Sequence, residues 1–336
     1  MGKIKRKNEL SFKEFTEGIL AGDRSVLSQA ITLIESTLPK HSDLAQKIIE
    51  YCLPQTGKSI RIGITGIPGV GKSTFIETFG LYLTQEKKRS VAVLAIDPTS
   101  ERTKGSILGD KIRMEELSLD PNAFIRPSPT SGSLGGVAKN TRETILLCEA
   151  AGFNTIIIET VGVGQSEVAV DSMVDFFLLL LLAGAGDEIQ GMKRGIMEMA
   201  DAVAITKADG ENIVKAEQAK REFENAIHLY PPKERGWVPE VTTCSSIKNK
   251  GIDEIWETII KHRKLIEQSG ELEKKRQRQA RKSMHEAILY GLKSSFYSSE
   301  QIQKALLKLE KQVTQGKKSP FAAADGLLSK YFKNFS

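Results

Sequence analysis

Residues Gly63-Ile64-Thr65-Gly66-Ile67-Pro68-Gly69-Val70-Gly71-Lys72-Ser73-Thr74 contain, from Gly66, the spacing G-x-x-x-x-G-K-[ST]. The apolar run Ile60 to Ile64 before the motif reads as a buried strand, and Phe75 to Leu83 after it place apolar side chains at helical spacing. Strand, glycine-rich loop and helix in that order are the context a P-loop requires. Glycines at 66, 69 and 71 admit backbone conformations that a Cβ would forbid, so successive N–H groups can converge on phosphate oxygens. A helix starting near Lys72 adds its positive N-terminal end. Lys72 is expected to reach the β and γ phosphates and the Ser73 hydroxyl to ligate Mg2+. The expected nucleotide-binding run is therefore Gly66, Ile67, Pro68, Gly69, Val70, Gly71, Lys72, Ser73 and Thr74.

The rest of the chain supplies the architecture such a loop needs. Residues 1–57 read as a helical extension, with Phe12, Phe15, Ile19 and Leu20, then Leu27, Ala30, Ile31 and Ile34, at helical spacing until Leu53-Pro54 breaks the pattern. From 58 to 250 apolar runs alternate with helical segments, the signature of a doubly wound, mostly parallel α/β sheet. The spacing predicts strands at Ile60 to Thr65, Val91 to Ile96, Ala123 to Arg126, Thr155 to Glu159, Phe176 to Leu182, Ala202 to Thr206 and Val241 to Cys244. Residues 251–336 read as a charged helical extension. Its apolar stripes, among them Ile288, Leu289, Leu292, Ile302, Leu306 and Leu309, are expected either to dimerise or dock a partner, or to pack back on the domain.

In an open α/β sheet, functional side chains collect past the carboxyl ends of the strands. Asp97 follows the second strand and opens a long polar segment that reaches Asp110. Both carboxylates are candidates to hold Mg2+ or to orient the attacking water; Asp97 could equally cap the next element. Ser128 to Gly136 reads as a polar glycine-rich loop, expected to be a mobile surface loop facing the nucleotide or a partner, with a second phosphate cradle as the alternative. Glu159 ends the fourth strand, where a carboxylate would hold Mg2+ through a water, and Gly162 would offer a bare N–H to the γ phosphate. Gln165 could align water, and Asp187, Gln190 and Lys193 lie in a small-residue and charged loop that a partner could close over the nucleotide. In Thr206-Lys207-Ala208-Asp209 the Asp209 carboxylate matches the paired N1–H and amine donors of guanine, and the Lys207 stem would pack over the ring. Thr206 stands where GTPases usually carry Asn, and its shorter side chain is expected to weaken the hold on the base. Ser245, Ser246 and Ile247 are placed to give backbone N–H groups to the guanine oxygen.

Composition narrows the remaining classes. Cys52, Cys148 and Cys244 lie far apart, as do the four histidines, which argues against a disulfide framework and a structural zinc site and fits a reducing interior. The net charge of +6 is concentrated in Lys274 to Lys282 without interleaved aromatic residues, so a solvated helix face is expected there and no nucleic-acid partner. The most apolar run, Phe176 to Ala183, is too short to span a bilayer, and no membrane association is expected. The first residues lack an apolar signal segment and an Arg-rich leader, which points to a bacterial cytoplasm.

Taken together, Gly66 to Thr74, Asp97-Pro98-Thr99-Ser100, Gly105 to Asp110, Glu159-Thr160-Val161-Gly162-Val163-Gly164-Gln165-Ser166-Glu167, Gly184 to Gly191 and Ser319 to Asp325 resemble the MeaB/ArgK-type G proteins, chaperones associated with methylmalonyl-CoA mutase. The resemblance covers nearly the whole chain. It implies a P-loop GTPase fold of the SIMIBI kind, GTP/GDP and Mg2+ as ligands, and slow hydrolysis that a partner stimulates. It further implies a homodimer that gates adenosylcobalamin loading onto a cobalamin-dependent acyl-CoA mutase and protects that enzyme. By the same resemblance residues 97–110 match switch I, 159–167 switch II and 184–195 a further switch through which the mutase acts. An older label in the family, a kinase or ATPase of lysine/arginine/ornithine transport, is the alternative. A metal-insertion GTPase would show a Cys/His cluster near the P-loop, and a partitioning ATPase of the deviant type a lysine where this chain has Ile67 and Pro68.

Overall fold

Seven apolar runs form seven strands, β1 (Ile60–Gly66), β2 (Val91–Ile96), β3 (Ala123–Arg126), β4 (Thr155–Thr160), β5 (Phe176–Leu182), β6 (Ala202–Thr206) and β7 (Glu240–Thr243). The computed structural model describes residues 10–36, 38–96, 114–127, 134–160, 166–184, 194–227 and 236–333. The strands make one sheet in the order β3-β2-β4-β1-β5-β6-β7, and every neighbouring pair is parallel. Strands covered on both faces must be apolar at nearly every position, which is why β2 and β4 are buried throughout and why they stood out as continuous runs. The ends differ slightly from the expected ones: β1 runs on to Gly66, β4 to Thr160, and β7 spans Glu240–Thr243 where Val241 to Cys244 was expected.

The strand order determines where a ligand can sit. The chain leaves β1 for β2 and β3, returns with β4 between β2 and β1, and then crosses to β5 on the other flank. β1 is thus the switch point, and its carboxyl end lies between those of β4 and β5, where the crevice of a doubly wound sheet opens.

Helices cover both faces. Three N-terminal helices, α1 (Phe12–Leu20), α2 (Arg24–Glu35) and α3 (Pro39–Cys52), are started by local chemistry. Ser11 and Glu14 cap each other at the head of α1, and Asp23 accepts from the Ser25 and Val26 N–H groups at the head of α2. Their apolar stripes, Ile19, Leu27, Ile31 and Ile48, join Leu147, Ile156 and Phe177 in one core. The N-terminal extension is therefore part of the same compact unit as the sheet. α4 (Lys72–Leu81) follows the P-loop and ends in a wider turn closed by the Lys87 N–H on the Tyr82 carbonyl. Further on lie α5 (Glu115–Leu119), α6 (Leu134–Ala150), α7 (Ser166–Asp171), α8 (Arg194–Met199) and α9 (Ile213–Ile227).

α10 (Ile252–Gln268) buries Ile252, Ile255, Trp256 and Ile259 against Phe75, Phe79 and Phe176. The compact unit built on the sheet accordingly runs to Gln279, past residue 250, where the sequence pattern turns charged. The charge lies on the outer face of α10 and its inner face completes the core. The second unit, residues 280–336, consists of the later turns of α11 (Glu271–Ser298) with α12 (Glu300–Thr314) and α13 (Pro320–Phe332). Its core is small: Ile302, Leu327 and Tyr331, with Phe296, Leu306 and Leu309 against them. The Tyr331 hydroxyl donates to Ser295 Oγ at 2.6 Å, while Ile288, Leu289, Leu292, Phe321 and Phe332 remain exposed. No helix among the described residues is long and apolar enough to cross a membrane.

Candidate nucleotide-binding site

The P-loop begins where β1 can no longer carry a side chain. A Cβ on Gly66 would lie 2.5 Å from the Leu180 carbonyl oxygen of β5, so glycine alone fits without moving backbone. Val70 is fully buried and pins the middle of the loop. Gly71 takes φ 93 and caps α4, whose first turn closes with the Phe75 N–H on the Gly71 carbonyl at 2.9 Å. Lys72 is thereby the first helical residue, with the loop ahead of it and the helix dipole behind.

The Lys72 ammonium lies back over the loop, donating to Gly66 O at 2.7 Å and Ile67 O at 3.3 Å. Burial lowers its pKa, while the negative charges of Glu159 and Glu167 pull the other way. Glu159, next to last in β4, is 4% exposed and accepts a hydrogen bond from Ser73 Oγ at 3.3 Å. One residue on, Thr160 Oγ1 and Thr65 Oγ1 share a hydrogen bond of 2.8 Å that ties the carboxyl ends of β4 and β1 together. A hydroxyl and a carboxylate oxygen facing each other beside the phosphate lysine form a hard, oxygen-only donor pair, which fits Mg2+. Glu167, 1% exposed in the first turn of α7, adds a buried negative charge near Lys72, a pairing that the sequence pattern did not show.

At the other end of the crevice the base loop follows β6. Thr206 is buried, and its hydroxyl faces Val70 O at 2.8 Å and Leu181 O at 3.1 Å. It binds the loop after β6 to the P-loop and to β5. Lys207 adopts a left-handed φ of 56 and its ammonium donates to Gly69 O at 2.9 Å, so its stem crosses the P-loop. That backbone conformation costs on the order of 1–3 kcal/mol in a residue with a Cβ. Asn212 Nδ2 holds it by donating to Lys207 O at 2.8 Å. The Ser245 hydroxyl donates to the Asp209 carboxylate. The Ser245 N–H is engaged by Lys250 O at 3.0 Å, so Ser245 meets Asp209 through its side chain. Thr78 of α4 donates to Ser246 O at 3.3 Å and joins this loop to the phosphate side.

The structure thus brings together Gly66 to Thr74, Glu159, Lys207, Asp209, Ser245, Ser246 and Ile247 around one crevice. Asp97, Asp110, Gly162, Gln165, Asp187, Gln190 and Lys193 lie outside the described residues.

Residues 27–301 match the protein family described as methylmalonyl Co-A mutase-associated GTPase MeaB. The chain belongs to the MeaB family. A relative named as a probable GTPase in Mycobacterium tuberculosis strain H37Rv is 49% identical over 310 residues, covering 92% of each chain. GTPase ArgK of Escherichia coli K12 is 46% identical over 85% of this chain and 87% of its own. The methylmalonic aciduria type A homolog of Mus musculus, named as mitochondrial, is 46% identical over 94% of this chain and 78% of its own. A solved structure named LAO/AO transport system kinase superimposes with a TM-score of 0.75 at 35% identity, covering 98% of this chain and 100% of that one. This MeaB-family chain is accordingly a GTPase with a parallel-sheet P-loop fold, and guanine nucleotide is its ligand.

Proposed function

We propose that this MeaB-family GTPase is a nucleotide-switched chaperone for a cobalamin-dependent acyl-CoA mutase of the methylmalonyl-CoA mutase type. It would gate adenosylcobalamin loading and protect the mutase from inactivation. The observation that carries this reading is the family match over residues 27–301, supported by the Mus musculus relative at 46% identity. The protein itself holds no cobalamin in this proposal; it acts on its client.

The crevice supports a phosphoryl-transfer role in which positioning and charge do most of the work. The ammonium of Lys72 leaves the Gly66 and Ile67 carbonyls for the β and γ phosphates, and loop N–H groups take the remaining oxygens. Ser73 and Glu159, with Asp97 and Asp110 as further candidates, would hold Mg2+, which when bound neutralises charge on the phosphates. Gly162, Gln165, Asp187, Gln190 and Lys193 are proposed to respond to the γ phosphate and to the client. Intrinsic turnover is slow and rises when the client binds. The exposed apolar side chains of the second unit favour a homodimer or client contact through 280–336, and a cytoplasmic location fits the bacterial relatives.

Phosphate release from GTP and from ATP, with and without methylmalonyl-CoA mutase, tests this in the wild type and in Lys72→Ala. The expected result is GTP-selective turnover, raised by the mutase and abolished in the variant. Turnover that the mutase leaves unchanged would reject the client. The name of the LAO/AO transport system kinase relative favours one second reading, phosphoryl transfer in lysine/arginine/ornithine transport; phosphate appearing on added arginine or a binding protein would support it.

A further inference from the structure

Asp175 immediately precedes β5 and is 1% exposed. β5 is parallel to β1, so Asp175 lies at the end of the sheet remote from the P-loop. Its carboxylate accepts from Arg276 Nε at 2.9 Å and Nη2 at 2.7 Å, from Arg263 Nη1 at 2.9 Å and from the Arg61 N–H at 3.0 Å. Its carbonyl accepts from Lys275 Nζ at 3.0 Å, and Gln279 Nε2 donates to the preceding carbonyl, Val174 O, at 2.8 Å. Arg276 also donates to Ser59 O at 2.7 Å and to Gly57 O just ahead of β1. Three of these donors, Lys275, Arg276 and Gln279, come from the first turns of α11, the helix that runs on into the second unit.

The other end of β5 touches both nucleotide loops. Leu180 pairs with Gly66 and its carbonyl sets how closely the P-loop starts, while the Leu181 carbonyl faces the Thr206 hydroxyl that also holds Val70. From Asp175 to Leu181 the chain takes six steps, about 20 Å, along a strand whose residues there are buried. A close-packed strand of this kind moves as a piece, because its neighbours leave no room to absorb a shift part-way. A buried carboxylate gripped by two guanidiniums resists local rearrangement for a second reason, since parting them leaves uncompensated charge in the interior.

We infer that β5 couples the nucleotide loops to the root of α11, with Asp175 as the anchor through which that root registers whether the crevice is filled. Coupling of this kind is reciprocal, so loosening the anchor must change nucleotide retention as nucleotide changes the hold on residues 271–279. The inference rests on the guanine-nucleotide site described above.

Hydrogen–deuterium exchange of the full chain, nucleotide-free and saturated with GDP and Mg2+, reads the first direction in peptides covering 271–279. Equilibrium titration with a fluorescent GDP analogue reads the second. The expected result is at least about a fivefold change in exchange on GDP binding, lost in Asp175→Asn, with GDP affinity altered by a similar factor. Should Asp175→Asn not fold, Arg276→Lys keeps the charge and removes the two-point grip, and the same loss is expected. Stoichiometric GDP binding with unchanged exchange at 271–279 would overturn the coupling and leave the nucleotide site standing. Variants that raise exchange equally with and without GDP, at an unaltered GDP affinity, would reduce Asp175 to a local structural contact and overturn it too. Failure to bind GDP at all would remove both readings.

Discussion

Thr206 shows how a side chain can be picked out in the sequence while its partners stay hidden. Its place ahead of Lys207 and Asp209 suggested weaker recognition of the base. In the structure the hydroxyl donates to the Val70 and Leu181 carbonyls, joining the loop after β6 to the P-loop and to β5. The direction was not legible because it depends on which strand lies beside β6 and which loop lies above it, both set by residues far away in the chain. Thr206→Val keeps the shape and removes the donor from a buried carbonyl, a change that costs about 1–3 kcal/mol. We expect GTP and ATP affinities to fall together, with their ratio kept within about threefold. Competition binding of the two nucleotides checks this, and a collapse of the ratio would return Thr206 to base selection.

At the scale of elements, the strands were legible because burial on both faces demands unbroken apolar runs, and Phe176 to Leu182 is the extreme case. The loop-to-helix junction was legible for a different reason: only glycine tolerates the contacts and angles at 66 and 71. What the pattern hid was the allegiance of α10. Its sequence is charged on balance, and a one-sided apolar stripe does not say which surface it meets; here it meets Phe79 and Phe176. Ser245 on Asp209 and Glu167 near Lys72 were hidden likewise, since each pairs residues from different elements. The β1 to α4 junction carries its own prediction. Gly66→Ala places a methyl group 2.5 Å from the Leu180 carbonyl, and neither backbone can yield cheaply. We expect a loss of about 1–3 kcal/mol in stability, typical of overpacking, and a GDP affinity lowered at least about tenfold as the loop is displaced. Thermal unfolding and GDP titration measure the two effects.

For the whole molecule, the buried charges at the base of the sheet set how it meets acid. Burial alone would raise the Asp175 carboxyl, but the hydrogen bonds and charge of Arg276, with Arg61 and Arg263, outweigh it and hold the group below the usual range. Glu149, buried but bonded to Arg61, Ser59 and the Gly57 N–H, is lowered in the same way. A carboxyl lowered in the folded state stabilises the fold above its unfolded pKa, about 3.9 for Asp and 4.3 for Glu, and loses that contribution as pH falls through the folded value. We therefore expect the unfolding temperature to drop as pH falls below about 4. Asp175→Asn should be less stable at neutral pH, by about 3–5 kcal/mol, and its unfolding temperature should show a shallower acid decline. Parallel pH profiles for the two proteins would exclude Asp175 from the response. The strand order has one more consequence, which belongs to the time before the molecule is whole. β1 and β2 are not neighbours; β4 lies between them, and β5 closes the other side of β1. On the ribosome, then, β1 has nothing to pair with until Thr155 and its successors emerge, a delay of roughly 4–18 s at ordinary rates of synthesis. Until then the most apolar strands of the first half wait as open edges, and a protein proposed to shelter another enzyme must itself be sheltered while it is made.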